Sequence, residues 1–190
     1  RVACAEDPLS LERAFEKADI VINTVGPFHQ FGISVLSASL NVGAHYIDCS
    51  AEQVFQKKVL EDYHQQATQK GLTVLSGHGC DFAFSYIGAA ILEKELGPLT
   101  QCASYHELVG FKPSRGTAKS ALGMLREGHY TYRNRNWVQE RPSLLPTRVR
   151  LAGDREKSHV VPFPGGDTIL IPNEIKSIAD YSAYLIFPQK

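Results

Sequence analysis

Three short segments carry the residue types that could do chemistry: Asn23-Thr24-Val25-Gly26-Pro27-Phe28, Asp48-Cys49-Ser50-Ala51-Glu52 and Ser76-Gly77-His78-Gly79-Cys80-Asp81. In the first, Gly26 lets a backbone approach a ligand closely and Pro27 stiffens the turn, although an ordinary strand-to-helix turn uses the same two residues. In the second, Asp48 ends a strand and Ser50 is placed to cap the next helix. Capping outranks catalysis for Ser50, and Asp48 is open between the two. In the third, Gly77 and Gly79 flank His78 and allow unusual backbone angles beside a pocket. There Asp81 is either a helix cap or a substrate ligand or acid/base group. A cysteine hydrolase using Cys80 with His78 as base is a further reading. Side chains two residues apart on a loop seldom align as nucleophile and base, and no third group orients them. There is no GxSxG, P-loop or HExxH pattern, and the spacing of His and Cys supports no metal site.

The elements that would position these segments alternate. Asp7-Pro8 is a cap and first helical residue, and Leu11, Ala14, Phe15 and Ala18 form one apolar stripe. Ile20-Val21-Ile22 is a short β-branched run suited to a strand buried on both faces. A second helix carries Ile33, Leu36 and Leu40 and closes at Gly43. His45-Tyr46-Ile47 is a second strand, residues 53–70 a third helix ending at Gly71, and Leu72 to Leu75 a third strand. Crossovers of this length predict parallel strands with right-handed connections, and ligands bind beyond the carboxyl ends of such strands. After Ser76 the pattern changes. A helix capped by Asp81 runs to Leu96, residues 101–109 are β-compatible, and a helix opens at Gly116-Thr117. Short strands are expected at 147–151, 158–163, 168–171 and 183–187. The expected fold is α/β: a partial Rossmann-like parallel sheet in residues 1–80, then an incomplete α+β substrate or dimerisation domain with a mainly antiparallel sheet in residues 81–190.

Composition narrows the class. Lys and Arg number 20, as do Asp and Glu, so the net charge is zero and a nucleic-acid partner held by a bulk positive field is not expected. The split is uneven, with a balance of −5 over residues 1–100 and +5 over 101–190. The aromatic and basic run Tyr130, Tyr132, Arg133, Arg135 and Trp137 reads as a solvated sheet edge rather than a nucleic-acid surface. Apolar residues at 43% suffice for a full core, no stretch is long enough to span a bilayer, and no secretory leader is visible. Cys4, Cys49, Cys80 and Cys102 form no CxxC pair, so reduced thiols and a cytoplasmic location are expected.

The segments Ala18-Asp19-Ile20-Val21-Ile22-Asn23-Thr24-Val25-Gly26-Pro27-Phe28, then Gly32, then Gly43-Ala44-His45-Tyr46-Ile47-Asp48, resemble the saccharopine dehydrogenase-like oxidoreductases. Gly77 to Phe82 resembles that family's G-x-G-F-D-S loop, and Ser114 to Ser120 its GT-x-x-S helix start. The resemblance is strong over about residues 18–125 and faint beyond. It implies an NAD(P)-dependent oxidoreductase acting on an unidentified small or lipid-like substrate. By the same resemblance Thr24, Val25, Gly26, Pro27, Asp48 and Ser50 edge the cofactor, and Gly77, His78, Gly79 and Cys80 face substrate. Asp81 is the acid/base candidate, with Tyr46 and His78 as alternatives.

Three departures qualify it. Ala51 replaces the glycine of the family's GE pair, and Cys80-Asp81-Phe82 differs from F-D-S at two places. The family's first strand and its G-x-G-x-x-G turn do not occur here. Two βα units, on the order of 60–70 residues, are expected upstream, so the chain reads as a fragment that does not itself bind NAD(P) well. The competing reading is a non-catalytic module that forms a homodimer through the second-domain sheet.

Overall fold

A computed structural model describes residues 1–110, 112, 114–127, 129–140, 145–151, 158–163 and 165–187, leaving aside the side chains of 81, 121, 124–127 and 187. Helix α1 (Pro8–Phe15) starts where Asp7 accepts hydrogen bonds from the Leu9 and Ser10 amides at 3.0 and 3.2 Å, with Pro8 in the first turn. Strand β1 (Ile20–Asn23), helix α2 (Phe28–Asn41) and strand β2 (His45–Asp48) follow. Gly43, at φ +81°, supplies the left-handed residue that turns the chain from α2 into β2. The third helix is continuous but not uniform. Helices α3 (Gln53–Lys58) and α4 (His64–Gln69) are joined by a π-helical turn over Val59–Tyr63, and strand β3 (Val74–Leu75) comes next.

The three strands are parallel in the order β1-β2-β3, with Ile20 opposite His45, Asn23 opposite Asp48 and Ile47 opposite Leu75. Val21, Tyr46 and Val74 point to one face and pack against α2, α3 and α4 in a core with Leu36, Leu40, Phe55 and Val59. Helix α2 approaches α3 so closely that a Cβ on Gly32 would occupy the Phe55 ring. The opposite face is bare: Ile20 and Ile22 are 53% and 70% exposed, and Leu75 is 40% exposed.

Helix α5 (Cys80–Leu96) leads into the second unit. Strand β4 (Gln101–Glu107), helix α6 (Arg115–Glu127) and strands β5 (His129–Arg133), β6 (Asn136–Glu140), β7 (Thr147–Val149) and β8 (Ser158–Pro162) follow, then helix α7 (Asp167–Glu174) and strand β9 (Asp180–Phe187). Strand β9 is the spine: β4 runs parallel along one side, and β5 and β8 pair antiparallel along the other, extended by β6 and β7. The α/β arrangement with a mainly antiparallel second sheet is as the sequence predicts.

Three local expectations fail. Ile20 and Ile22 are exposed, so β1 is buried on one face and not on both. Residues 168–171 form no strand but the first turn of α7, where Thr168, Ile169 and Ile171 are all buried. A short apolar run buried on every side carries no period that separates strand from helix, and tertiary packing overrides its β-branched propensity. The cap of α5 is Gly79, with Cys80 already helical, so Asp81 is the second helical residue and not the cap.

Candidate functional site

The loops after β1, β2 and β3 lie side by side because their strands are parallel and in register. Asp48 is the tie between them. Its carboxylate is 1% exposed, and Oδ1 accepts from the amides of Ser50 (2.9 Å) and Gly77 (2.7 Å) while Oδ2 accepts from Ser76 Oγ (2.9 Å). The His78 amide donates to the Asp48 carbonyl at 2.6 Å. Burial raises the Asp48 carboxyl above its usual range, against the pull of these donors. Ser50 is equally buried and accepts from the Glu52 amide at 3.0 Å, a turn just ahead of α3. Neither side chain opens to solvent.

The first loop behaves differently. Asn23 is buried, accepts from the Val25 amide at 2.9 Å and donates to the Tyr46 hydroxyl at 3.0 Å. This holds Thr24, Val25 and Gly26 outward, all exposed, ahead of a cis Gly26–Pro27 bond. Tyr46 itself is fully buried. Burial, then the neighbouring Asp48, push its phenol above the ordinary value.

In the third loop Gly77 is buried at φ +72°, and a Cβ there would meet the Gln56 amide and Leu170. His78 is exposed with its ring edge-on to Phe82 at 6.2 Å, and Cys80 is exposed at the head of α5. The side chain of Asp81 lies outside what the structure describes. The exposed candidates are thus Thr24, Val25, Gly26, His78 and Cys80, while Asp48, Ser50 and Gly77 form the buried frame beneath them. No disulfide joins the four cysteines. Among the described residues no three His, Cys, Asp or Glu side chains gather as a metal site.

Three polar residues not singled out from the sequence hold the frame together. Glu52, 4% exposed, accepts from the amides of Phe28 (2.9 Å) and His29 (2.8 Å), pairs with His29 Nδ1 (2.7 Å) and accepts from Ser120 Oγ (2.7 Å). It thereby caps α2 from 24 residues away and reaches α6 of the second unit. Burial would raise this carboxyl, but the Ser120, Phe28 and His29 hydrogen bonds together hold it below the usual range. Gln53 pairs with Tyr130 through both ends of its amide, at 3.0 and 2.8 Å, and donates to the Gly165 carbonyl at 3.0 Å. Gln56 fills the space where Cβ atoms of Gly77 and Gly166 would stand. Within the basic run Arg133 binds Ser182 Oγ at 2.8 Å, and Arg135 binds the carbonyls of Lys176 (2.7 Å) and Ser177 (3.3 Å).

The chain joins a Rossmann-like parallel sheet to a second, mainly antiparallel sheet. Residues 2–75 match the family model described as saccharopine dehydrogenase NADP binding domain. Over 189 residues the chain is 30% identical to a lipid droplet localized protein of Caenorhabditis elegans, covering 90% of this chain and 43% of that protein. It is 27% identical over 198 residues to the human saccharopine dehydrogenase-like oxidoreductase, covering 94% and 46%. A shorter stretch of 80 residues is 32% identical to a trans-acting enoyl reductase of Mycobacterium tuberculosis, covering 42% and 19%. The apo saccharopine dehydrogenase (L-Glu forming) of Saccharomyces cerevisiae shares the fold at a TM-score of 0.56 and 13% identity, over 96% of this chain and 43% of that one. The chain is related to the saccharopine dehydrogenase-like oxidoreductases, a family with an NADP-binding domain, and it spans less than half the length of these relatives. No helix among the described residues is long and apolar enough to cross a membrane.

Proposed function

We propose that this chain supplies the nicotinamide-side wall and the substrate domain of an NAD(P)-dependent oxidoreductase, with the pyrophosphate site on chain outside these residues. The observation that carries the reading is the bare side of the first sheet. Parallel strands are normally covered on both faces, yet Ile20, Ile22 and Leu75 are exposed and β1 pairs only with β2 among the described residues. A further βαβ unit along β1 would cover that face and extend the sheet. The residues present fit half of a dinucleotide. Exposed Thr24, Val25 and Gly26 offer a close-approach, uncharged wall suited to ribose and the nicotinamide ring, whereas the α2 N-terminus, an anion site by its geometry, is already filled by Glu52.

The nicotinamide supplies or accepts the hydride, and the protein holds the ring against the substrate in a shaped slot. Asp48 and Asn23 act beneath that slot by fixing the loops. Gly77, His78, Gly79 and Cys80 edge the substrate side, with exposed His78, or Asp81, moving the single proton the reaction needs. The name of the worm relative, a lipid droplet localized protein, favours a lipid-like substrate. A cytoplasmic location belongs to the same reading, and the homodimer through the second sheet to the competing one.

The test is calorimetric or fluorescence titration of NADPH and NADH into the full-length protein and into residues 1–190 alone. Binding is expected to the full-length protein and to be weak or lost in residues 1–190. A full-length protein with a glycine-rich turn that binds neither nucleotide overturns the proposal in favour of the non-catalytic module.

A further inference from the structure

The second sheet contains a slot that the crevice chemistry does not use. Strands β5 and β8 both pair with β9 but diverge around Ser182 and Ala183, since β5 meets β9 at Tyr181 and β8 meets it from Tyr184 onward. The gap is a cavity of about 110 Å³, lined by His129, Thr131, Arg133, Glu140, Ser182 and Tyr184 among others. Strand periodicity places His129, Thr131 and Arg133 on one face of β5, so three hydrogen-bonding side chains line one wall.

Two of them have unused capacity. His129 is 5% exposed, and its Nδ1 is buried with no hydrogen-bond partner among the described residues. An orphaned polar atom in a buried position is unfavourable unless something else completes it. Burial lowers the proton affinity of this imidazole, with only partial opposition from Glu140 across the hairpin, so it is neutral at pH 7 and offers one donor and one acceptor. Arg133 uses Nη1 on Ser182 Oγ and on nearby carbonyls, while Nε and Nη2 make no hydrogen bond among the described residues. Arg133 is the one fixed cation lining the slot among the described residues, and Glu140 stands exposed at its rim.

We propose that this slot binds a short monocarboxylate, its carboxylate on the Arg133 guanidinium and an α-hydroxyl or α-keto oxygen on His129. A guanidinium edge matches a carboxylate in geometry and charge, a neutral imidazole matches an uncharged polar group, and the volume suits a molecule of a few heavy atoms. Gln53 links Tyr130 of the same strand to the start of α3, so occupancy is mechanically connected to the crevice without depending on its function.

The experiment is an NMR titration of the full-length protein with lactate, acetate and methylammonium, following the Arg133 side-chain N–H and the His129 ring. Lactate is expected to move both, acetate to move Arg133 and bind more weakly, and methylammonium to move neither. R133M should weaken lactate about tenfold or more. Because Arg133 also ties β5 to β9, R133K is the companion variant: it keeps a cation, is checked for folding by thermal melting, and should bind lactate at an intermediate level. Shifts absent with lactate, equal for lactate and acetate at His129, or unchanged in both variants would overturn the assignment.

Discussion

Removing the Glu52 carboxylate tests the account of how the crevice is held. Glu52→Ala leaves the Phe28 and His29 amides, the His29 ring and the Ser120 hydroxyl facing a buried void. Two of these are N-terminal amides of α2, whose first turn has no other side-chain cap. Hydrogen bonds to an ionised acceptor contribute roughly 1.5–3 kcal/mol each, and stripping one partner from a buried charged network costs about 3–5 kcal/mol. Glu52→Ala should therefore destabilise by about 3–5 kcal/mol. Glu52→Gln keeps one acceptor oxygen but turns an N–H₂ group toward a donor, and should cost about half as much. Urea unfolding with an unchanged slope reads the difference. The pH dependence adds a sign. The folded protein holds Glu52 below the ordinary glutamate value near pH 4.3. Its contribution is fully present above that unfolded value and is lost as pH falls through the folded one. The gap between wild type and Glu52→Gln should thus be constant near neutrality and narrow in acid. A Glu52→Gln protein as stable as wild type at pH 7, or a gap that widens on acidification, refutes the reasoning.

Asp48 carries the opposite sign: its folded carboxyl lies above the unfolded value, so its contribution is present at low pH and lost as pH rises through the folded value. Asp48→Asn should lie within about 1 kcal/mol of wild type in acid, because the new amide oxygen can take both backbone donors and its N–H₂ can donate to Ser76 Oγ. Its stability relative to wild type should improve with pH, measured by thermal melts from pH 4 to 8. Gly77→Ala should lower stability by about 2–4 kcal/mol, combining a left-handed residue with overpacking against Gln56 and Leu170. Gly32→Ala separates two rules, since helix propensity alone favours alanine by about 1 kcal/mol. The Phe55 ring leaves no room for a methyl, so denaturant midpoints should fall, not rise.

Much of the frame was legible because local signals agree with the fold there. Ile20-Val21-Ile22 reads as a strand, Asp7-Pro8 as a helix start and Gly43 as a helix end, and each is found so. The parallel direction of the three strands then followed from the length of the crossovers. The polar residues that join the units were not legible. Glu52 serves an amide pair 24 positions earlier, and Gln53 pairs with a strand 77 positions later. No spacing rule marks a glutamine whose partners are backbone atoms of a distant strand. The one sequence signal for Glu52 is its place in the family's GE pair, where Ala51 stands for the glycine. Helix α7 was misread because its run is buried all round, which erases the period that separates strand from helix.

The Glu52 cap also bears on where a nucleotide's charge can go. The N-terminus of a helix beside a parallel strand end is a ready anion site, because its free amides and dipole both favour negative charge. Here a protein carboxylate already occupies those amides at 2.8 and 2.9 Å and is itself buried. A phosphate placed there would meet a fixed negative charge and no free donors. The wall left open by Thr24, Val25 and Gly26 is uncharged, which suits a sugar or an aromatic ring and does not suit a pyrophosphate. On the proposed reading, a dinucleotide held by this fold finds its phosphate donors on another strand–helix turn. On that reading the β1 edge, unpaired among the described residues, and the exposed Ile20, Ile22 and Leu75 mark the side on which that turn fits.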